Sequence, residues 1–266
     1  MIGFIRRLRR RLLAEGALGN YLAYAIGEIV LVVVGILIAL QINNYNDARK
    51  DRARELGYLV NIRVDLEANI AEMDRYLADR NEGIAAAQRI IRHFDGEPIE
   101  DASAFNADGV SIYAWRRYYQ TNNTYQELVN SGNFALLSNE TIKRGLLDLE
   151  AQYMKMKGEE DHFRFDAETL LYHPLYEAMD LNPIVLEAAY RASNGQSGKN
   201  GLLNPQSFEG FLKNRMLKNG FVMTILEFQT MNEQMREMQR LSRVLIDEID
   251  VEMNHSAGQR SNGANP

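Results

Sequence analysis

The chain of 266 residues contains no cysteine, which excludes a disulfide, a thiolate metal site, haem attachment and a thiol nucleophile. Glycine and proline are sparse, at 19 and 5 residues, and stay below the average of about 12% for the two together. Such scarcity favours long uninterrupted helices. With 46% hydrophobic and 25% charged residues, the chain can bury a core, so general disorder and collagen-like repeats are excluded.

Motifs for the common enzyme chemistries are also lacking. The sequence has no glycine-rich phosphate loop, nucleophile elbow, EF-hand loop or dinucleotide fingerprint. Its four histidines are scattered, and neither His162 nor His173 has the i, i+4 partner of an HExxH motif. We therefore expect no enzymatic activity, no catalytic residue, no cofactor and no metal site.

Positive charge is concentrated at the start of the chain, although the formal net charge is −6. Residues 1–20 contain five arginines and one glutamate, which is +4, so the remaining residues carry −10. An acidic body argues against nucleic-acid binding, and a basic amphipathic segment suits the anionic headgroups of a cytoplasmic membrane face. The alternative is a merely charged tail. The predicted headgroup contacts are Arg6, Arg7, Arg9, Arg10 and Arg11.

One long hydrophobic run follows this basic segment. Residues 21–40 are apolar apart from Glu28, and twenty helical residues rise about 30 Å, the thickness of a bilayer's hydrocarbon core. We predict a transmembrane helix over residues 21–43. A buried helix of a soluble protein and a cleaved signal peptide are the alternatives. The absence of a polar face argues against the first, and the length of the run and the lack of a small-x-small cleavage site argue against the second.

Basic residues on the two sides of the run predict its orientation. Five arginines precede it, whereas Arg49, Lys50, Arg52 and Arg54 follow it among acidic residues, so the positive-inside rule favours a cytoplasmic N-terminus. In a bacterium, residues 44–254 would then form a periplasmic domain anchored to the inner membrane. Residues 255–266 are polar and are predicted to be a disordered tail.

The predicted span carries three residues of interest. A carboxylate at the centre of a membrane helix costs about 2.5 to 3.5 kcal/mol, so Glu28 should be near an interface, protonated or paired. Gly27 and Gly35 are eight residues apart and share a helical face where a second backbone could approach. These residues could form the interface of a homo-oligomer, or Glu28 could snorkel alone to the headgroups.

Two further features link the chain to a known family. Residues 24–29 read YAIGEI and residues 35–44 read GILIALQINN. This signature resembles that of a family of uncharacterised, single-pass bacterial membrane proteins, a domain of unknown function. A looser second motif lies around Thr124, Tyr125, Leu128, Ser131 and Gly132. The resemblance implies a membrane anchor and an extracytoplasmic helical body, and it supplies no catalytic or ligand residue.

The rest of the chain shows helical periodicity, which predicts an all-α protein. Apolar residues recur every three or four positions over residues 56–77, so we expect the membrane helix to continue as one long helix to about His93 and to be followed by a helical bundle. A second stripe over residues 221–253 includes Met231, Met235 and Met238, which are expected in the core rather than at a soft metal. Residues 99–110 and 192–201 read as loops, Gly158 and Gly220 as breaks, and Pro174 as a kink.

An aromatic cluster offers a possible ligand pocket. Its candidate residues are Trp115, Arg116, Tyr119 and Tyr125, although such clusters more often pack into a core. Three functions follow as hypotheses. The first is a membrane-anchored interaction or scaffold protein that self-associates and contacts another membrane or periplasmic protein. The second is a periplasmic ligand-sensing domain that works through a partner, and the third is an oligomeric ion-conducting pore lined by Glu28.

Overall fold

The computed structural model describes the backbone of residues 17–262 and the side chains of residue 22 and residues 25–256. In this part of the chain the regular structure is helical and contains no strand, which confirms the all-α prediction. The chain divides into two compact units after Gly57. The arginines predicted to contact headgroups, at positions 6, 7, 9, 10 and 11, lie outside the described residues.

The first helix, α1 (Ala17–Phe94), is continuous, as the sequence predicts. Every residue from 26 to 50 is exposed within the chain. Among the described residues, α1 is the one helix long and apolar enough to cross a membrane: its most apolar window has a mean hydropathy of 2.6, and none of that window is buried. This surface is therefore not part of a protein core in the described chain.

The core of the second unit lies among residues 58–94 of α1, α4 (Glu140–Ala167) and α8 (Arg215–Asn262). Helices α4 and α8 run antiparallel, since Gln152 bonds to Gln234 and Phe163 packs on Phe228 farther along. Both predicted stripes are largely buried, because each faces the other helices. Their fully or nearly fully buried members include Leu59, Ile62, Leu66, Met73, Phe221, Phe228, Met231, Met235, Met238, Leu245 and Ile249.

Short helices complete the second unit. The side chain of Asn139 accepts hydrogen bonds from the first turn of α4 and so caps this helix. The predicted loop at 192–201 is confirmed, and Gly198 (φ +77°) is required there because a Cβ atom would lie 2.2 Å from the carbonyl oxygen of Leu186. The elements are α2 (Ala102–Tyr113), α3 (Asn123–Asn130), a 3-10 helix (Asn133–Leu136), a π-helix (Glu168–Tyr172), α5 (His173–Ala178), α6 (Leu181–Ala192), a 3-10 helix (Pro205–Phe208) and α7 (Glu209–Leu212).

The loop predicted over residues 99–110 is wrong, because residues 102–113 form helix α2. Asp101 caps it by accepting hydrogen bonds from the backbone amides of Ser103 and Ala104. Phe105 and Ile112, seven residues apart, bury the same face of the helix. Burial and capping therefore outweigh the turn-like Asp, Asn and Gly composition of this segment.

The breaks predicted at glycines are also wrong, since α4 continues through Gly158 and α8 through Gly220. Gly220 permits close packing: a Cβ atom there would lie 2.5 Å from Leu171 Cδ2 and 2.9 Å from the carbonyl oxygen of Leu170. Pro174 does disturb its helix, because a π-helical turn precedes α5. Helix α8 extends to Asn262, into the segment predicted to be a disordered tail.

Candidate functional site

The residues predicted for a membrane or oligomer interface are accessible on α1. Gly27, Glu28 and Gly35 are all exposed within the chain. A Cβ atom added at either glycine would meet no atom within 4 Å. The surface around them is therefore open to lipid or to a second copy of the chain.

Trp115 and Arg116 lie in the irregular segment that follows α2, beside a hollow of about 270 Å³ that is lined by both aromatic and charged side chains. The ring of Trp115 packs edge-on against Phe163, with 4.8 Å between the ring centroids. The guanidinium of Arg116 pairs with the carboxylate of Asp79 at 3.1 Å and lies over the ring of Tyr76. Trp115 is thus anchored in the core, as expected for an aromatic cluster, while Arg116 faces solvent.

Tyr119 and Tyr125 do not join this hollow. Tyr119 is 68% exposed, and its ring receives the ammonium of Lys157 at 4.5 Å from the centroid. Tyr125 packs edge-on against Phe134 and lines a separate, much smaller cavity next to Asn69. The structure therefore does not gather the four predicted residues around one pocket.

An apolar hollow of about 300 Å³ lies instead among α2, α5 and α6. The π-helical turn positions its aromatic wall, where the Tyr172 hydroxyl donates to the carbonyl oxygen of Tyr113 at 2.9 Å. Burial raises the pKa of Tyr113, so its hydroxyl stays neutral. Walls of this kind suit an apolar or aromatic ligand. Lining residues include Phe105, Gly109, Tyr113, Tyr172, Leu175, Tyr176, Ile184 and Phe208.

A buried ion pair crosses the core between α1 and α4. The guanidinium of Arg80 donates to Oε1 of Glu160 at 2.7 Å, and both side chains are at least 95% buried. The same oxygen accepts from the backbone amide of Tyr118 at 2.8 Å, while Lys157 Nζ lies 3.3 Å from Oε2. Burial lowers the pKa of Arg80, and the charge of Glu160 opposes that shift. This network holds the aromatic segment against α4.

A second group of ionisable side chains lies where α4 faces α8. His162 and Asp166 are four residues apart on α4, and Glu227 faces them from α8. One nitrogen or oxygen from each of the three side chains lies within 4.8 Å of the others. The Nδ1 atom of His162 is 3.7 Å from Oε1 of Glu227.

Glu227 is the unusual member of this group. Its side chain is 9% exposed, and neither carboxylate oxygen has a hydrogen-bond partner in the described chain. Burial, and to a smaller extent the neighbouring carboxylates of Asp166 and Glu159, together raise the pKa of the Glu227 carboxyl to about 8. The group combines an imidazole with two carboxylates at the edge of the hydrophobic core, a donor set able to hold a cation.

This group was missed from the sequence. The i, i+4 spacing of His162 and Asp166 was a usable signal, because it places both side chains on one helical face. Glu227 gave no comparable signal, since its position beside them depends on how α4 and α8 pair. The aromatic hollow was missed for a similar reason: α2 had been predicted to be a loop.

Comparisons with known proteins identify the family of the chain through a stretch that makes up half of its length. A family model described as a family of unknown function (DUF6090) matches residues 28–160. The match includes Glu28, the GILIALQINN segment and the second motif, and it ends before His162. No curated protein and no solved structure matches the chain. The chain therefore belongs to the family of unknown function DUF6090.

Proposed function

We propose that the protein is a single-pass protein of a bacterial inner membrane whose helical body acts as an interaction or scaffold module on the periplasmic side. The proposal gives it no enzymatic role. The observation that supports it is the exposed apolar surface of α1, none of which is buried in its most apolar window. The body then supplies helical surfaces for a second copy or another protein.

Transfer energies favour insertion of this segment. Ile29–Leu40 contains ten Ile, Val and Leu residues, worth about 3 to 6 kcal/mol in total at about 0.3 to 0.6 kcal/mol each. Glu28 opposes this by about 2.5 to 3.5 kcal/mol at the membrane centre and by less towards the interface. The apolar residues offset the cost of Glu28 over most of this range, and a partner for Glu28 would widen the margin, which supports self-association through the face that carries Gly27 and Gly35.

Paired aspartate substitutions test the anchor. Val33→Asp/Leu37→Asp adds about 5 to 7 kcal/mol to the transfer of the segment, which exceeds its net gain. We expect this variant to leave the membrane fraction. Val60→Asp/Val64→Asp is the matched control, because Val60 and Val64 are also exposed and four residues apart on α1. Equal membrane retention of both variants would contradict the proposal.

The absence of cysteine makes orientation measurable with a single added thiol. Ser197→Cys places it in the exposed loop that follows α6. In intact cells, a maleimide too polar to cross the inner membrane should label this variant, since the body is assigned to the periplasm. Labelling only after cell lysis would place the body in the cytoplasm and overturn the orientation.

Self-association is tested by mass measurement in mild detergent. The protein should exceed the 30.4 kDa of one chain, and Gly27→Leu/Gly35→Leu should reduce its mass because the added side chains separate the two helices. A strict monomer would contradict self-association and a pore lined by Glu28.

The apolar hollow favours a second candidate function, ligand sensing through a partner protein. Trp115 is the only tryptophan, and its indole interacts with Tyr172 in the wall of the hollow. Titration with cyclohexanol or octanol, which do not fluoresce, should change the fluorescence of Trp115. Gly109→Leu should abolish the response by filling the hollow, because a Cβ atom at Gly109 would meet no atom within 4 Å. An unchanged spectrum would exclude these ligands and remove the support for sensing.

A further inference from the structure

The donor atoms of the three-residue group between α4 and α8 are almost as close together as the ligands of a bound metal ion. For metal–ligand bonds of about 2.1 Å in a tetrahedral arrangement, ligand atoms lie about 3.4 Å apart. The 3.7 Å between His162 Nδ1 and Glu227 Oε1 is close to this separation, and one donor atom from each of the three side chains lies within 4.8 Å of the other two. Small side-chain rotations would therefore bring all three donors onto one ion.

The helices hold these donors in place through the adjoining core. Phe163 follows His162 directly and is buried, and its ring packs against Phe228 with 4.9 Å between the centroids. Phe228 in turn follows Glu227, so this aromatic contact fixes the facing positions of α4 and α8 beside the group. Sites built on packed helices keep their geometry better than sites on loops.

The carboxylate of Glu227 gives an independent reason to expect a ligand. Almost all buried polar atoms in proteins have a hydrogen-bond partner, and a buried carboxylate is costly unless it is paired. Neither oxygen of Glu227 has a hydrogen-bond partner in the described chain, although the side chain is 91% buried and faces His162 and Asp166. A cation between the three side chains would pair with this carboxylate.

The chemistry of the donors narrows the choice of ion. Imidazole nitrogen with carboxylate oxygen suits divalent first-row transition metals, whereas magnesium and calcium prefer oxygen alone and copper(I) prefers sulfur. The negative charge of a further acidic residue, Glu159, also acts on Glu227, so the electrostatic potential at the group attracts a divalent cation. His162 is exposed, which leaves a route for the ion to enter and for water to complete its coordination.

We propose that His162, Asp166 and Glu227 bind one divalent first-row transition metal ion, represented by Zn²⁺. The ion would join α4 to α8 across the second unit. This role is independent of the membrane anchor, since none of the three residues lies in the exposed apolar segment.

The test uses the full-length, tag-free protein in detergent, freed of metal with a chelator and titrated with Zn²⁺ by calorimetry. We expect one Zn²⁺ per chain. Loss of a residue that only hydrogen-bonds to a metal ligand typically lowers metal affinity by about 10-fold to 100-fold. Loss of a ligand itself should cost more, so we expect His162→Ala, Asp166→Asn and Glu227→Gln each to weaken Zn²⁺ binding by at least about 100-fold. Co²⁺ should give visible absorption in the wild-type protein, and this signal should disappear in His162→Ala.

Matched controls are available on α8. His255→Ala and Glu233→Gln remove an exposed imidazole and an exposed carboxylate outside the group, and they should bind Zn²⁺ as the wild-type protein does. Helix content measured by circular dichroism shows whether each variant is folded. Absence of Zn²⁺ binding at millimolar concentration, or equal binding by all the folded variants, would overturn the proposal. In that case Glu227 would be held as a neutral carboxylic acid.

Discussion

Removing one partner of the buried Arg80–Glu160 pair should destabilise the second unit strongly. Glu160→Gln keeps an acceptor for the amide of Tyr118 but leaves the buried guanidinium without its counter-charge, so we expect a loss of about 3 to 5 kcal/mol in the free energy of unfolding. Arg80→Met should cost about 2 to 4 kcal/mol, since Lys157 and the Tyr118 amide still pair with Glu160.

The double variant Arg80→Met/Glu160→Gln removes both charges while the acceptor for Tyr118 remains. Its loss should be smaller than the sum of the two single losses by at least about 2 kcal/mol, because neither charge of the buried pair is left behind and only Lys157, whose side chain is 17% exposed, loses a partner. Urea unfolding of the full chain in detergent measures these values, with the fluorescence of Trp115 as the probe. Its ring lies 4.8 Å from Phe163, close to Glu160 in the chain.

The control for this cycle is an exposed pair, Arg116 with Asp79, whose removal should cost less than about 1 kcal/mol. If the Arg80 and Glu160 losses add within about 0.5 kcal/mol, the two side chains do not interact and the reasoning is refuted. The same holds if Glu160→Gln is neutral.

Three further variants give predictions of known sign. Gly109→Ala should stabilise the protein by about 0.5 to 1 kcal/mol in thermal unfolding, because its Cβ atom meets open space within α2; a loss would contradict this. Gly220→Ala should destabilise it by about 1 to 3 kcal/mol, because the Cβ atom would lie 2.9 Å from a backbone oxygen; a neutral result would mean that the helices can separate freely. In the metal-free wild-type protein, the raised pKa of Glu227 means that ionisation of this carboxyl, which faces Asp166, Glu159 and His162, disfavours folding between about pH 4.5 and 8. The wild-type protein should therefore lose stability as the pH rises through this window, and Glu227→Gln should become more stable relative to it. A pH-independent difference in urea unfolding would contradict that assignment.

Long-period features of the fold could be predicted from the sequence. The stripe of α8 has a constant helical period over more than thirty residues, so Phe228, Met231, Met235 and Met238 were correctly expected in the core. The cap of α4 could be narrowed to Ser138 or Asn139, because capping depends on the residues that immediately follow, and the structure places it at Asn139. Each of these signals lies within one helix and its immediate neighbours in the chain.

Features that depend on tertiary packing were not predictable in the same way. In the sequence, Gly220 predicts a helix break. In the structure, the absence of a side chain at Gly220 allows Leu171, which is far away in the sequence, to pack closely against α8. Residues 102–113 look like a loop until Phe105 and Ile112 have a core to pack against. Glu227 joins His162 and Asp166 only because α4 and α8 are antiparallel and in register there. Sequence patterns cannot supply these pairings between elements.

Carbonate washing of isolated membranes, followed by intact-mass measurement of the protein in the pellet, is the most direct test of membrane anchoring. The account predicts that the protein stays in the pellet and that its mass includes residues 21–43. Release into the supernatant, or a mature chain that starts after Leu40, would show that the apolar part of α1 is not a permanent anchor.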